Sequence, residues 1–326
     1  MKKDAVVGID IGGTFVKYAI IDISANILAE GSIPTDKSDN LDDFLDDLTT
    51  TLGDAIRKVS AITDVRGIGV GAPCGNYKNG CIEYAVNLKW TQGKQVPMVE
   101  LLQKRFSVPV AITNDANAAA LGEMIYGKAK DMKDFILITL GTGLGSGLVT
   151  NGELLYGHDG FAGEIGHVIA RENGRNCACG RRGCLETYVS APGIVRTVFE
   201  LLAEYNHPSE LRDYSFNGLT SEIIYHAATR NDFIALKAFE LTGKLLGIKL
   251  ADAVAHTSPE AIFLFGGLAK AGEFILKPTR ESFNNNVLKN YQGKVAIELS
   301  SLPEGNVAVL GASALIWTEL NKGKTL

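Results

Sequence analysis

AVVGIDIGGTFVKYAII, Ala5 to Ile21, is the stretch on which the fold turns. Two short β-rich runs flank a pair of glycines, and a third run, Ile27–Ile33, follows, so the pattern reads as strand, turn, strand. The turn is DIGGT, Asp10 to Thr14. Glycines without a Cβ let backbone N–H groups come close to a ligand. Thr14 and Lys17 add donors, and Asp10 at the strand end suits a water-linked Mg²⁺. The turn therefore reads either as a phosphate cradle or as an ordinary hairpin turn, which would need the glycines but not the acid and the threonine.

The same pattern returns as FILITLGTGLGSGLVT, Phe135 to Thr150, followed by a polar turn and another short strand. This weak internal repeat favours two phosphate loops facing a cleft over two accidental turns. GTGLGSG does not open a helix after its strand, so it is not a dinucleotide fingerprint, and no GxxxxGKS occurs. The uncharged run from Phe135 to Gly152 is long enough to suggest a membrane span. Its glycines, threonines and serine make two buried strands the better reading.

Between and beyond the hairpins, the periodicity predicts an amphipathic helix over Leu41–Ser60 and buried strands over Gly67–Gly71, Val108–Thr113 and Ala261–Phe265. The loop with Asn76 and Asn87 to Trp90 offers amide and ring contacts of the kind sugars take, or it is a plain surface loop. Cys74 and Cys81 have no evident metal role. Asn114-Asp115 caps an Ala-rich helix. A carboxylate at such a strand end is either a cap or a general base toward a hydroxyl. Gly266-Gly267 after Phe265 permits close approach of a base or ribose, or makes a tight turn. Helices are read over Thr187–Tyr205, Leu219–Ala228, Asn231–Thr257 and Val307–Leu320, with a short strand at Val295–Leu299.

One stretch stands apart: GHDGFAGEIGHVIARENGRNCACGRRGCLE, Gly157 to Glu186. His167, Cys177, Cys179 and Cys184 form a set of three thiolates and an imidazole, the closed type that holds structural zinc. A disulfide would leave one cysteine over, and the bland alternative is three unpaired thiols. Glycines allow tight wrapping, and Arg175, Arg181 and Arg182 offset thiolate charge. A metal here would fix the backbone around Glu164, His167 and Glu186, which suggests that those residues line a site.

The 326 residues suffice for two domains, with 46% hydrophobic and 21% charged residues, as in a soluble globular protein. A net charge of −5 and the lack of a basic block disfavour nucleic acid. Five cysteines, three of them in a ligand set, suit a reducing cytoplasm. No signal-peptide core or membrane partner is read.

The motifs DIGGT (10–14), NDANAAALGE (114–123), LGTGLGSGLV (140–149), GEIGH (163–167), CACGRRGCLE (177–186) and FGG (265–267), in this order, resemble the ROK family of sugar kinases in the actin/hexokinase-like superfamily. The resemblance covers nearly the whole chain. It implies an α/β fold of two ribonuclease-H-like domains with an interdomain cleft. Residues 1–115 would form the small domain, joined by a C-terminal helix at about 308–326. Residues 116–307 would form the large domain carrying the zinc loop. It implies ATP and Mg²⁺ as cofactors beside structural Zn²⁺, with Asp115 as catalytic base. Gly71, Asn87, Asn114, Glu164, His167 and Glu186 would hold a hexose. Asp10, Gly12, Gly13, Thr14, Lys17, Thr142 and Gly143 would hold Mg²⁺ and phosphates, and Gly266 and Gly267 the nucleoside. The implied reaction is phosphoryl transfer to the 6-hydroxyl of a hexose, glucose first, with N-acetylmannosamine, N-acetylglucosamine or fructose as alternatives. A homodimer or tetramer is implied. The family also holds sugar-responsive repressors. The first hairpin begins within ten residues of Met1, leaving no room ahead of it for a DNA-binding module. A zinc hydrolase fits poorly, because the ligand set is closed.

Overall fold

A computed structural model of the chain describes residues 2–35, 40–85, 88–302 and 307–322. In chain order the first elements are β1 (Lys3–Ile11), β2 (Phe15–Asp22), β3 (Ile27–Pro34), α1 (Leu41–Val59), β4 (Thr63–Gly71), β5 (Gly75–Asn76), β6 (Cys81–Glu83), β7 (Gln95–Val96), α2 (Met98–Phe106), β8 (Val110–Thr113) and α3 (Asp115–Tyr126). They are followed by β9 (Phe135–Leu140), β10 (Leu144–Thr150), β11 (Glu153–Leu154), α4 (Ala191–Glu204), α5 (Ser221–Thr229), α6 (Phe233–Thr257), β12 (Ala261–Phe265), α7 (Glu273–Asn286), β13 (Ala296–Leu299) and α8 (Val307–Lys322). The chain gathers into two compact units. One is Met1–Asp131 with Leu154–Ala162 and Ser301–Leu326, and the other is Met132–Glu153 with Gly163–Ser300. No helix among the described residues is long and apolar enough to cross a membrane.

Each unit is built on a five-stranded sheet, and the two orders are the same: β3-β2-β1-β4-β8 and β11-β10-β9-β12-β13. In the first, β1 pairs antiparallel with β2 and parallel with β4, and β8 extends the parallel side. In the second, β9 pairs antiparallel with β10 and parallel with β12, and β13 extends it. The hairpin repeat read from the sequence is thus the visible part of a repeated sheet. A third sheet, β5-β6-β7, has strands of two or three residues.

Glycines decide how the first unit closes. Gly67, Gly69 and Gly71 alternate along β4 and so share one face of the sheet. A Cβ on Gly69 would collide with the Ala312 carbonyl of α8, and one on Gly67 would crowd Ile316. Gly8 of β1 meets the Val309 carbonyl in the same way. On its other side α8 reaches α3, where a Cβ on Gly311 would collide with the Ala118 carbonyl. Helix α8 is accordingly buried along Val307–Trp317, apart from the intermediate Ala308. This packing also draws α3, which follows Asp115, into the first unit.

Candidate active site

In the first unit, register puts the candidate residues at neighbouring strand ends. Asp10 of β1 pairs with Gly71 of β4, and Gly71 with Thr113 of β8. Across the hairpin Asp10 faces Lys17. The Gly12–Thr14 turn is tied down by Thr35, whose hydroxyl donates to the Gly12 carbonyl at 2.8 Å and whose N–H donates to the Thr14 carbonyl at 2.8 Å. Gly13 and Thr14 are left exposed.

Two residues past β8, α3 begins. Asn114 is its N-cap, with Oδ1 accepting the Asn117 N–H at 2.7 Å. Asp115 is the first helical residue, and its Oδ1 accepts the Ala116 N–H at 2.9 Å. The cap thus falls to Asn114, which leaves Asp115 for other work. Asp115 is open to solvent, and the density of protein around it raises its carboxyl above the ordinary range, while the Ala116 N–H offsets part of that. Asp10 is pushed up to about 6, first by burial and then by repulsion from Asp115, with Lys17 acting the other way. A pair of neighbouring carboxylates held above their ordinary range is the electrostatic mark of a functional site.

The second unit carries the remaining candidates. Glu164 leads into a single turn, Ile165–His167, that rests on β10. The Ile165 N–H donates to the Ser146 hydroxyl at 3.2 Å, and a Cβ on Gly166 would collide with the Leu144 carbonyl. The cysteine loop docks on this turn through an isolated bridge between Ile169 and Cys184 and a Leu185 N–H to Val168 carbonyl bond of 2.9 Å. Gly180 and Gly183 adopt φ of 84° and 81°, the left-handed turns that only glycine makes freely.

The metal test is geometric. A ring nitrogen of His167 and the Cys177, Cys179 and Cys184 Sγ atoms lie within 4.8 Å of one another, and Nδ1 is the nitrogen beside Cys177. The Cys177–His167 and Cys179–Cys184 separations are each 3.7 Å. A tetrahedral cation with sulfur bonds of about 2.3 Å would set S···S edges near 3.8 Å. The donor set fits. It uses His167 Nδ1, so the other ring nitrogen is directed elsewhere.

Arg175 anchors this loop. Its guanidinium donates to both Glu200 oxygens at 2.9 and 2.7 Å, to the Thr187 and Gly193 carbonyls at 2.6 and 2.9 Å, and to the Thr197 hydroxyl at 2.9 Å. It also stacks 4.4 Å from the centre of the Tyr188 ring. The charge of this arginine, expected to offset the thiolates, is instead paired with Glu200 of α4.

Thr142 is exposed in the β9–β10 turn, and Glu186 Oε2 reaches that turn, accepting the Leu144 N–H at 3.0 Å. Gly266 adopts φ of 104° against the Leu140 carbonyl. Gly267 lines a cavity of about 290 Å³ with Ser221, Glu222, Tyr225, His226 and Lys270. Tyr225 and Lys270 also line an adjoining cavity of about 580 Å³. In the sequence Ser221, Glu222, Tyr225 and His226 of α5 look like part of any amphipathic helix, and Lys270 like any surface lysine, so no signal there marks them. Asn87 lies outside the described residues.

Two sheets of one order, each with a glycine-rich hairpin turn, define the actin/hexokinase-like class, and solved structures of that class agree. The chain matches the ROK family over residues 6–319 and belongs to it. It is 37% identical to a glucokinase of Halalkalibacterium halodurans, covering 97% of this chain and 96% of that one. A ROK family glucokinase from Streptomyces griseus, solved with glucose and AMPPNP, superposes with a TM-score of 0.76 at 30% identity, covering 95% of this chain and 98% of that one. A ROK family transcriptional regulator, a homologue of the E. coli MLC protein, superposes with a TM-score of 0.87 at 25% identity, covering 98% of this chain and 79% of that one.

Proposed function

We propose that the protein transfers the γ-phosphoryl group of ATP to the 6-hydroxyl of a hexose, with glucose as the preferred substrate. The observation that carries the reading is Asp115, freed from capping by Asn114, with a raised carboxyl beside a second raised acid, the half-buried Asp10. The 37% identity to a glucokinase over nearly both full chains supports glucose.

Asp115 takes the proton of the 6-hydroxyl as that oxygen attacks the γ-phosphorus. Asn114, Gly71 and Asn87, with Glu164, His167 and Glu186, hold the sugar. His167 uses Nδ1 for the metal and its other nitrogen for a hydroxyl, so that the metal fixes the ring. The turns at Gly12–Thr14 and Thr142–Gly143 present backbone N–H groups to the phosphates, with Lys17 adding charge. Asp10 would hold Mg²⁺ through water, which would supply charge neutralisation at the phosphates. Gly266, Gly267 and the cavity bounded by Tyr225 take the nucleoside. Zinc is the cation for the His167–Cys177–Cys179–Cys184 set, in a structural role, since the protein fills all four positions. A division into a small and a large domain, the cytoplasmic setting and a homodimer are part of the same reading.

The test is sugar-dependent ADP release from Mg-ATP across a panel of hexoses and N-acetylhexosamines. Preference for glucose is the expected result. Preference for an N-acetylated sugar keeps the kinase and changes its substrate. Zinc-replete protein that binds sugar but releases no ADP overturns the enzyme reading in favour of a sugar sensor.

A further inference from the structure

Glu186 joins two places that the proposed function treats separately. Its Oε2 accepts the Leu144 N–H at 3.0 Å, inside the β9–β10 turn. Its Oε1 lies 3.8 Å from Cys177 Sγ, on the cysteine loop. The same turn is held at its entry, where the Ala191 N–H at the head of α4 donates to the Gly141 carbonyl at 2.8 Å. Within the turn the Gly141 N–H donates to the Gly143 carbonyl at 3.0 Å. Among the described residues the Thr142 and Gly143 N–H groups are left as the turn's donors to a ligand.

Gly143 shows what the turn is built to admit. Its φ lies outside the left-handed region, so the backbone there accepts an alanine. What excludes a Cβ is the Glu186 carboxylate: Oε2 would collide with it, and the next nearest atom is the same group's Cδ at 3.4 Å. Glycine at this position makes room for a carboxylate that is remote in sequence.

We infer that Glu186 is a positioning residue shared by sugar and nucleotide, and that the two ligands bind with positive cooperativity through it. The inference rests on the reading that the hexose meets Glu186 and the phosphates meet the turn. A sugar hydroxyl donating to the carboxylate fixes its rotamer and disperses its charge. The fixed carboxylate holds Leu144 N–H and with it the turn, and the dispersed charge repels phosphate less. Linkage requires the same factor in both directions.

Isothermal titration of the zinc-replete full chain, with glucose and Mg-AMPPNP each alone and each in the presence of the other, tests this. The wild type should show equal coupling in both directions, of roughly 5–150-fold. Gly143→Ala should raise the glucose Kd measured without nucleotide by about tenfold or more and bring the coupling to about one. A turn residue that touched phosphate alone would leave that Kd unchanged. Glu186→Asp, too short to reach the Leu144 N–H, should raise the AMPPNP Kd measured without glucose about fivefold or more. Circular dichroism and zinc content establish that each variant is folded, and if Gly143→Ala is not, Glu186→Asp decides. Absence of coupling in the wild type, an unchanged glucose Kd in folded Gly143→Ala or an unchanged AMPPNP Kd in Glu186→Asp overturns the inference. If the wild type binds no glucose, the hexose reading fails, and the AMPPNP measurement on Glu186→Asp still tests the link between carboxylate and turn.

Discussion

At Asp10, burial and the neighbouring Asp115 lift the carboxyl from its ordinary 3.8 to about 6. A carboxyl raised on folding favours the fold while it is neutral. Its contribution is complete below 3.8 and is lost as the pH rises through about 6. In metal-free protein Asp10→Asn should therefore be more stable at pH 8 than the wild type, by on the order of 1–3 kcal/mol, with the two converging near pH 4. Urea unfolding at the two pH values measures this, and equal stability at pH 8 would count against it. The same variant should lose turnover with Mg-ATP, because the charge that costs stability is the one a cation needs. Asp115→Asn is predicted to bind glucose as the wild type does while its kcat falls by ~10²–10⁴-fold. Near-normal turnover would refute its role as base. Since both acids must be ionised, kcat/KM should climb with pH through about 6, above the ordinary carboxylate range.

The cysteine loop shows what an element takes from its neighbours. Arg175 ties it to the Thr187 carbonyl, next to Glu186, and to three residues of α4. Lysine offers a point charge in place of a planar fork. Arg175→Lys should thus lose about 2 kcal/mol in urea unfolding and raise the KM for sugar more than it lowers kcat. Equal loss in both would mean that the arginine serves stability alone. Removing the metal with a chelator, or replacing Cys184 by Ser, should weaken sugar binding by roughly 10–100-fold, read by titration without nucleotide. The convergence of His167, Cys177, Cys179 and Cys184 was legible because His, three Cys and their glycines occur in one short stretch. The hairpins were legible through their period and their glycines, and the capping of α3 through Asn114-Asp115. Helix α7 was not read, since Pro278 sits inside it and its second half is polar. Its ring faces Gly243 of α6, a fit that only the packed structure reveals. Helix α4 starts at Ala191, later than the period suggested, because Ser190 caps it and Leu185–Thr187 forms a separate turn. The two- and three-residue strands of the small sheet are too short to carry a period, and the glycines of β4 make sense only once α8 is seen to lie on them.

In the whole molecule α8 is the element that completes the first unit. Its contact with α3 is backbone to backbone at Gly311, so Gly311→Ala cannot be relieved by a side-chain rotation. We expect a loss of about 1–3 kcal/mol in urea unfolding, with the metal content unchanged, and an unaltered midpoint would show that α3 and α8 can separate at no cost. The first unit draws on three stretches of chain, Met1–Asp131, Leu154–Ala162 and Ser301–Leu326, whereas the second is complete at Ser300. On a ribosome the order of completion is therefore the reverse of the order of synthesis. Strands β1 and β4 wait for α8, with Gly8, Gly67 and Gly69 uncovered until it is made. A message cut short after Ser300 would release a chain that has every strand of both five-stranded sheets but lacks the helix that covers Gly8, Gly67 and Gly69.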